Sequence, residues 1–168
     1  MTIKLDIGCG ASANKGYIGV DIDPRFKAIH SKADALPWQD GEADEVYSSH
    51  LLEHTLEPLA MLQEWHRVLR AGGRLVVRVP NLMAWVERWL MTEGQTRWEY
   101  PLVELVFGWV AEGPMRHRTG FDVERLRAMV EAAGFEVESC EAVRSRHSHG
   151  PEYHPQGDIL CEAVKRGA

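Results

Sequence analysis

The sequence predicts an α/β domain built on a mainly parallel sheet, and two observations carry that prediction. Short strand-like runs alternate with helical stretches, at Lys4 to Ile7, Tyr17 to Ile22, Asp44 to Ser48 and Leu75 to Pro80, which is the rhythm of β-α-β units. The first run also ends in Gly8-Cys9-Gly10, where two residues without a Cβ let the backbone turn sharply and approach a ligand.

Each element has its own signature. Leu56 to Arg70 places Leu59, Leu62, Trp65 and Leu69 three or four residues apart, the spacing of an amphipathic helix, and Gly72-Gly73 follows as its stop. A second helical stretch covers Leu82 to Met91. Asp122 can cap a helix over Val123 to Ala133, with Val123, Leu126, Met129 and Val130 as its buried stripe and Gly134 as its end. Two β-type runs, Phe135 to Val143 and Asp158 to Val164, close the chain. No repeat or low-complexity tract interrupts this order, and 168 residues with 45% apolar content suit one core. A single domain over 1–168 is expected, with an aromatic-rich helical insert at about 82–120.

Composition narrows the function classes. The apolar runs fall far short of the roughly 18 to 20 residues that cross a bilayer, and Met1 leads almost directly into a strand, so a cytoplasmic protein without a membrane partner is expected. Cys9, Cys140 and Cys161 form no CxxC pair and read as small apolar fillers. The net charge of −6 gives no general attraction for a phosphate backbone, and the arginines at 116, 118, 125, 127, 144 and 146 read as a solvated surface.

The glycine loop alone matches several nucleotide folds, and as G-x-G-x-x-A with Ala13 it even fits the dinucleotide fingerprint. Val20-Asp21-Ile22-Asp23 then ends the next strand on a carboxylate able to accept hydrogen bonds from both ribose hydroxyls. Asp21 follows Gly8 by 13 residues, against about 20 in dinucleotide enzymes, which argues against a nicotinamide oxidoreductase. Ala33-Asp34-Ala35-Leu36-Pro37 lies beyond the following strand region, where a carboxylate and a backbone N–H can address an adenine edge. Ligands of open α/β sheets bind at the carboxyl ends of the strands, and the three segments fall there in order.

LDIGCG, VDID, DALP, DEVYSSHLLEH and WHRVLRAGGRLVVRVPNL together resemble the class I S-adenosylmethionine-dependent methyltransferases, in particular a small bacterial group, from about Leu5 to Phe135. The resemblance implies a Rossmann-like fold, a seven-stranded sheet with an antiparallel last strand, and S-adenosyl-L-methionine as cofactor. It implies that Asp6, Gly8 and Gly10 hold the methionine end and Asp21 the ribose. Ile22 would pack on adenine, Asp34 and Ala35 would address its edge, and Ser49 with His50 would line the sulfonium region. One departure stands out: six residues separate Gly10 from Tyr17, too few for an ordinary crossover helix. The first helix should be shortened or absent. Lys15 is a candidate counter-charge for the cofactor carboxylate.

Methyl transfer from a sulfonium mainly needs alignment, and a base only where the acceptor must lose a proton. His117 is the first candidate on the acceptor side and His50 the second, with Glu53-His54 read as a pair at the start of a helix, structural or functional. His147, His149 and His154 read as a polar loop at the substrate side, without zinc spacing, and His30 and His66 as helix or surface residues. No metal site is expected. Trp85, Trp89, Trp98 and Trp109, with Tyr100 and Phe107, would cover an aromatic acceptor, pack as core or form a dimer surface. The expected reaction is methyl transfer to an O or N atom of a small molecule or glycan precursor. The rival readings are a non-catalytic cofactor-binding or partner-binding module and a nucleic-acid methyltransferase, for which no Asn-Pro-Pro-Tyr element is present after Ser48; a homodimer is the candidate assembly.

Overall fold

The computed structural model describes residues 2–91, 116–145 and 156–167. Seven strands form one sheet: β1 (Lys4–Ile7), β2 (Ile18–Asp21), β3 (Ile29–His30), β4 (Ala43–Ser49), β5 (Leu69–Pro80), β6 (Phe135–Val143) and β7 (Asp158–Lys165). Their order is β3-β2-β1-β4-β5-β7-β6, and only β7 runs against its neighbours. This is the Rossmann-like methyltransferase arrangement the sequence predicts. Three α-helices are described, α1 (Pro58–Val68), α2 (Leu82–Met91) and α3 (Val123–Ala132), with a 3-10 turn at Leu52–His54 after β4.

Alternation along the strands separates two faces. Leu5, Ile7, Val20, Val46, Leu75, Val77, Val79, Ile159, Cys161 and Ala163 point into a core with Leu62 and Trp65 of α1 and Leu126 and Val130 of α3. Trp65 is fully buried, and its Nε1 donates to the Ala33 carbonyl at 2.9 Å. The helix therefore anchors the Asp34 loop as well as the sheet. The opposite face is charged. Lys4 pairs with Glu45 at 2.8 Å, Tyr17 donates to Glu45, and Arg74 pairs with Glu162.

The helix-free connections explain that polarity. Residues 8–17 and 22–28 join β1 to β2 and β2 to β3 without a helix, so the expected loss of the first helix holds and extends to the second. In a right-handed doubly wound sheet these crossovers run opposite to those of α1 and α3 and would cover the other face. A parallel sheet is normally covered on both sides. Here charged pairs across the strands take the place of buried apolar side chains.

Two boundaries differ from the sequence reading. α1 ends at Val68, and Gly72-Gly73 lies within β5 instead of stopping a helix. Leu69 is already extended and pairs with Ala43 of β4; sheet pairing overrides the helical periodicity that includes Leu69. A Cβ at Gly73 would stand 2.8 Å from the Arg70 carbonyl, so the chain folds closely on itself there. His30, read as helix or surface, lies on the exposed edge strand β3.

The anchoring role of Trp65 sets a measurable cost. Trp65→Ala should lower unfolding free energy by about 3–5 kcal/mol, measured by urea denaturation.

Candidate active site

The carboxyl ends of β1, β2 and β4 form a rim, and the loop after β1 is tied to it by two carboxylates. Gly8 and Cys9 donate their N–H groups to the Val20 carbonyl at 2.8 and 3.2 Å, folding the loop over β2. Asp21 then accepts from Gly10 N–H through Oδ2 and from Asp23 N–H through Oδ1, both at 2.9 Å. Each carboxylate oxygen has further acceptor capacity, so Asp21 is fixed in orientation and can still receive ribose hydroxyls.

Gly8 and Gly10 both have positive φ, +74° and +59°, a region costly for side-chain-bearing residues. Their surroundings differ. A Cβ on Gly8 would meet the Leu51 side chain at 3.0 Å, whereas one on Gly10 would meet nothing within 4 Å. Gly8 is thus a packing glycine, and Gly10 presents bare backbone to open space beside Asp21. Ile22, next on the rim, is 59% exposed, an apolar surface available to a flat ring.

Asp6 is the next-to-last residue of β1. It is buried and accepts the Asn14 N–H at 2.8 Å, pinning the loop that replaces the helix. Burial raises its carboxyl above the ordinary range, against the lowering effect of the Asn14 hydrogen bonds. Burial and the Asp6 and Asp21 charges likewise raise the Cys9 thiol, which keeps it a protonated filler. Asp34 is exposed on its loop, while Ala35 N–H already donates to the Lys32 carbonyl at 3.3 Å. Ser49 is half-buried at the end of β4, and Lys15 is exposed on the first loop.

His50 follows Ser49 with φ +55°, the only non-glycine residue at positive φ among those described. This conformation is uncommon and costs of order 1–3 kcal/mol. Its ring lies between two carboxylates: Nε2 is 3.3 Å from Asp158 and Nδ1 is 3.4 Å from Glu53. Burial disfavours the imidazolium, but Asp158 and Glu53 outweigh it and raise the pKa to about 9. These two contacts make the His50 ring a brace between the end of β4 and the start of β7. Arg78 completes the chain through Nε to Asp158 at 2.6 Å, with both side chains buried.

His117 and His54, distant in sequence, are neighbours here. Arg118 and Thr119 donate their N–H groups to the Glu53 carbonyl at 2.6 and 3.1 Å, and Thr119 Oγ1 donates to the Thr55 carbonyl at 2.7 Å. This stitching sets the His54 and His117 rings edge to face, 5.1 Å apart. The Glu53-His54-His117 grouping was illegible in the sequence because no local spacing links it. Trp85 is a packing residue, buried with Nε1 donating to the Gly157 carbonyl at 2.9 Å. The Trp89 side chain, Trp98, Tyr100, Phe107, Trp109, His147, His149 and His154 lie outside the described residues.

Known methyltransferases resemble this chain in sequence and fold. Residues 5–77 match the family model described as a methyltransferase domain. The chain is 26% identical over 160 residues to a Mycolicibacterium smegmatis protein named "Probable S-adenosylmethionine-dependent methyltransferase", covering 83% of this chain and 54% of that protein. It is 28% identical over 159 residues to the ubiquinone biosynthesis O-methyltransferase of Idiomarina loihiensis, covering 79% of this chain and 60% of that one. The chain thus spans little more than half the length of these two relatives. Among solved structures, an S-adenosylmethionine-dependent methyltransferase of Thermotoga maritima superposes with TM-score 0.69 at 18% identity, covering 99% of this chain and 83% of that one.

Removing one charge from the buried brace should be costly. Asp158→Asn leaves Arg78 and His50 facing a neutral amide, and denaturant unfolding should show a loss of about 3–5 kcal/mol.

Proposed function

We propose that this chain is a class I, S-adenosylmethionine-dependent methyltransferase that transfers the methyl group to an oxygen or nitrogen of a small molecule or glycan precursor. The observation that carries the cofactor half is the Gly10 backbone, open to space and bonded to an oriented Asp21 at the carboxyl rim. Bound S-adenosyl-L-methionine supplies an electrophilic methyl on a sulfonium that leaves as a neutral thioether.

The residues at the rim divide the work. Asp21 accepts from the ribose hydroxyls, and its two backbone bonds hold its oxygens in place before binding. Ile22 gives the adenine an apolar surface. Gly10 lets the ligand approach its backbone, and Asp6 keeps the loop from drifting by holding Asn14. Asp34 addresses the adenine edge with its carboxylate, the Ala35 N–H being engaged within its own turn. Ser49 and the His50 backbone line the sulfonium side, while the His50 ring braces β4 against β7 through Asp158.

His117 faces the acceptor side. It lies beside His54 on the segment stitched to Glu53, beyond the end of the strand that carries Ser49. The O- or N-atom acceptor class draws support from the ubiquinone biosynthesis O-methyltransferase relative. The glycan or small-molecule choice rests on the sequence resemblance. No described helix is long and apolar enough to cross a membrane.

Two variants separate these roles. Asp21→Ala should weaken S-adenosylhomocysteine binding at least about 10-fold by calorimetry, since one hydrogen bond to a charged group contributes ~1.5–3 kcal/mol. Unchanged affinity would remove the ribose assignment. His117→Ala should retain S-adenosylhomocysteine affinity and lower turnover in a screen of sugar nucleotides and small phenols read by S-adenosylhomocysteine release. Wild-type turnover in that variant would take His117 out of the acceptor site.

A further inference from the structure

Glu53 poses a problem that the methyl-transfer reading leaves unsolved. Its side chain is 2% exposed, and among the described residues neither carboxylate oxygen has a hydrogen-bond partner. A buried carboxylate without hydrogen bonds is expensive, and such groups are normally paired or bound to a cation. His50 stands at 3.4 Å from Oε1 and His54 Nε2 at 3.8 Å from the same oxygen. Both contacts are ionic rather than well-formed hydrogen bonds, and both fall on Oε1, so Oε2 has no partner of either kind among the described residues.

The geometry around that carboxylate points to a metal. We propose that Glu53, His54 and His117 bind one divalent transition-metal ion. A Glu53 oxygen and one ring nitrogen from each histidine all lie within 4.8 Å of one another. Tetrahedral coordination at about 2.0–2.1 Å per bond puts ligand atoms roughly 3.3 Å apart, so closure takes an inward shift of about 1 Å by half-buried imidazoles. His54 is already oriented for this. Its Nδ1 faces the Arg116 carbonyl at 3.2 Å, which can only accept, so Nδ1 carries a hydrogen and Nε2 is the nitrogen turned toward Glu53 and available to a metal. Metal-bound histidines are commonly fixed by such a carbonyl on the far nitrogen.

The donor set selects the ion. Calcium and magnesium favour all-oxygen ligands, and copper(I) favours sulfur, which this cluster lacks. Two imidazoles and one carboxylate suit zinc, cobalt, manganese or iron(II). Three protein ligands leave coordination positions open to water or to an incoming oxygen. The cluster begins three residues after His50 on the carboxyl rim, so a hydroxyl or carboxylate of the acceptor is the fitting exogenous ligand. That last step rests on the methyl-transfer reading, whereas the metal site itself does not.

Cobalt(II) titration of the chelator-stripped full chain tests the site without cofactor or acceptor present. The expected result is one Co2+ per chain with visible ligand-field bands, displaced by Zn2+. His54→Ala and His117→Ala should each weaken binding at least about 10-fold, because even indirect supporting residues cost that much. Their chelator-treated thermal midpoints, compared with that of the wild type, show whether the variants are folded. Glu53→Gln should abolish the bands, and the two histidine variants keep the test decisive if the glutamine variant does not fold. Failure of the wild-type chain to bind Co2+ at one per chain, or unchanged affinity in both folded histidine variants, overturns the site. Metal binding with no methyl transfer on any acceptor would leave the site standing and remove the proposed reaction instead.

Discussion

The buried run of charges Arg78, Asp158, His50 and Glu53 holds the carboxyl rim in one geometry. Asp158 starts β7, Arg78 lies near the end of β5, His50 follows β4 and Glu53 begins the turn beyond it, so four segments converge on two carboxylates and two cations. In a low-dielectric setting each of these groups is costly alone and tolerable together. The pairing also explains a backbone oddity. His50 accepts a left-handed φ because its N–H reaches the Arg78 carbonyl at 2.8 Å while its ring enters the carboxylate pair.

The second constraint is economy in the first half of the chain. With no helix after β1 or β2, the glycine loop cannot rely on a helix N-terminus to hold an anion. What carboxylates hold here is the loop backbone itself. Asp6 fixes Asn14 from beneath, and Asp21 fixes Gly10 from the side. On the sheet face opposite the core, Lys4 with Glu45 and Arg74 with Glu162 place charged pairs where apolar residues would otherwise stand. A loop held this way presents its backbone to a ligand from a fixed frame, although the usual supporting element is missing.

Around His54 and His117, convergence comes from backbone hydrogen bonds. Glu53 uses its carbonyl to receive Arg118 and Thr119, so the segment carrying His117 and the turn carrying His54 form one unit. The same residue has a buried carboxylate facing the two histidines. One glutamate thereby links the brace behind the rim to the segment that carries His117.

The sequence by itself determined the fold class, because hydrophobic periods and glycine punctuation are local and repeat along the chain. Six of the seven strands, the missing first helix, the Asp122 cap and the order of Gly8, Asp21 and Asp34 were legible, whereas the two-residue edge strand β3 and the early start of β5 at Leu69 were not. The end of α1 was not, since Leu69 serves the helical stripe and the β-sheet equally well by type and pairing with Ala43 decided between them. Nor were the separate fates of the histidines. Whether a ring is a base, a brace or a ligand depends on which charges surround it, and those come from Asp158, Glu53 and Arg116, brought near only by folding. Residue types set what the chemistry can be, and long-range contact set which histidine is left to do it.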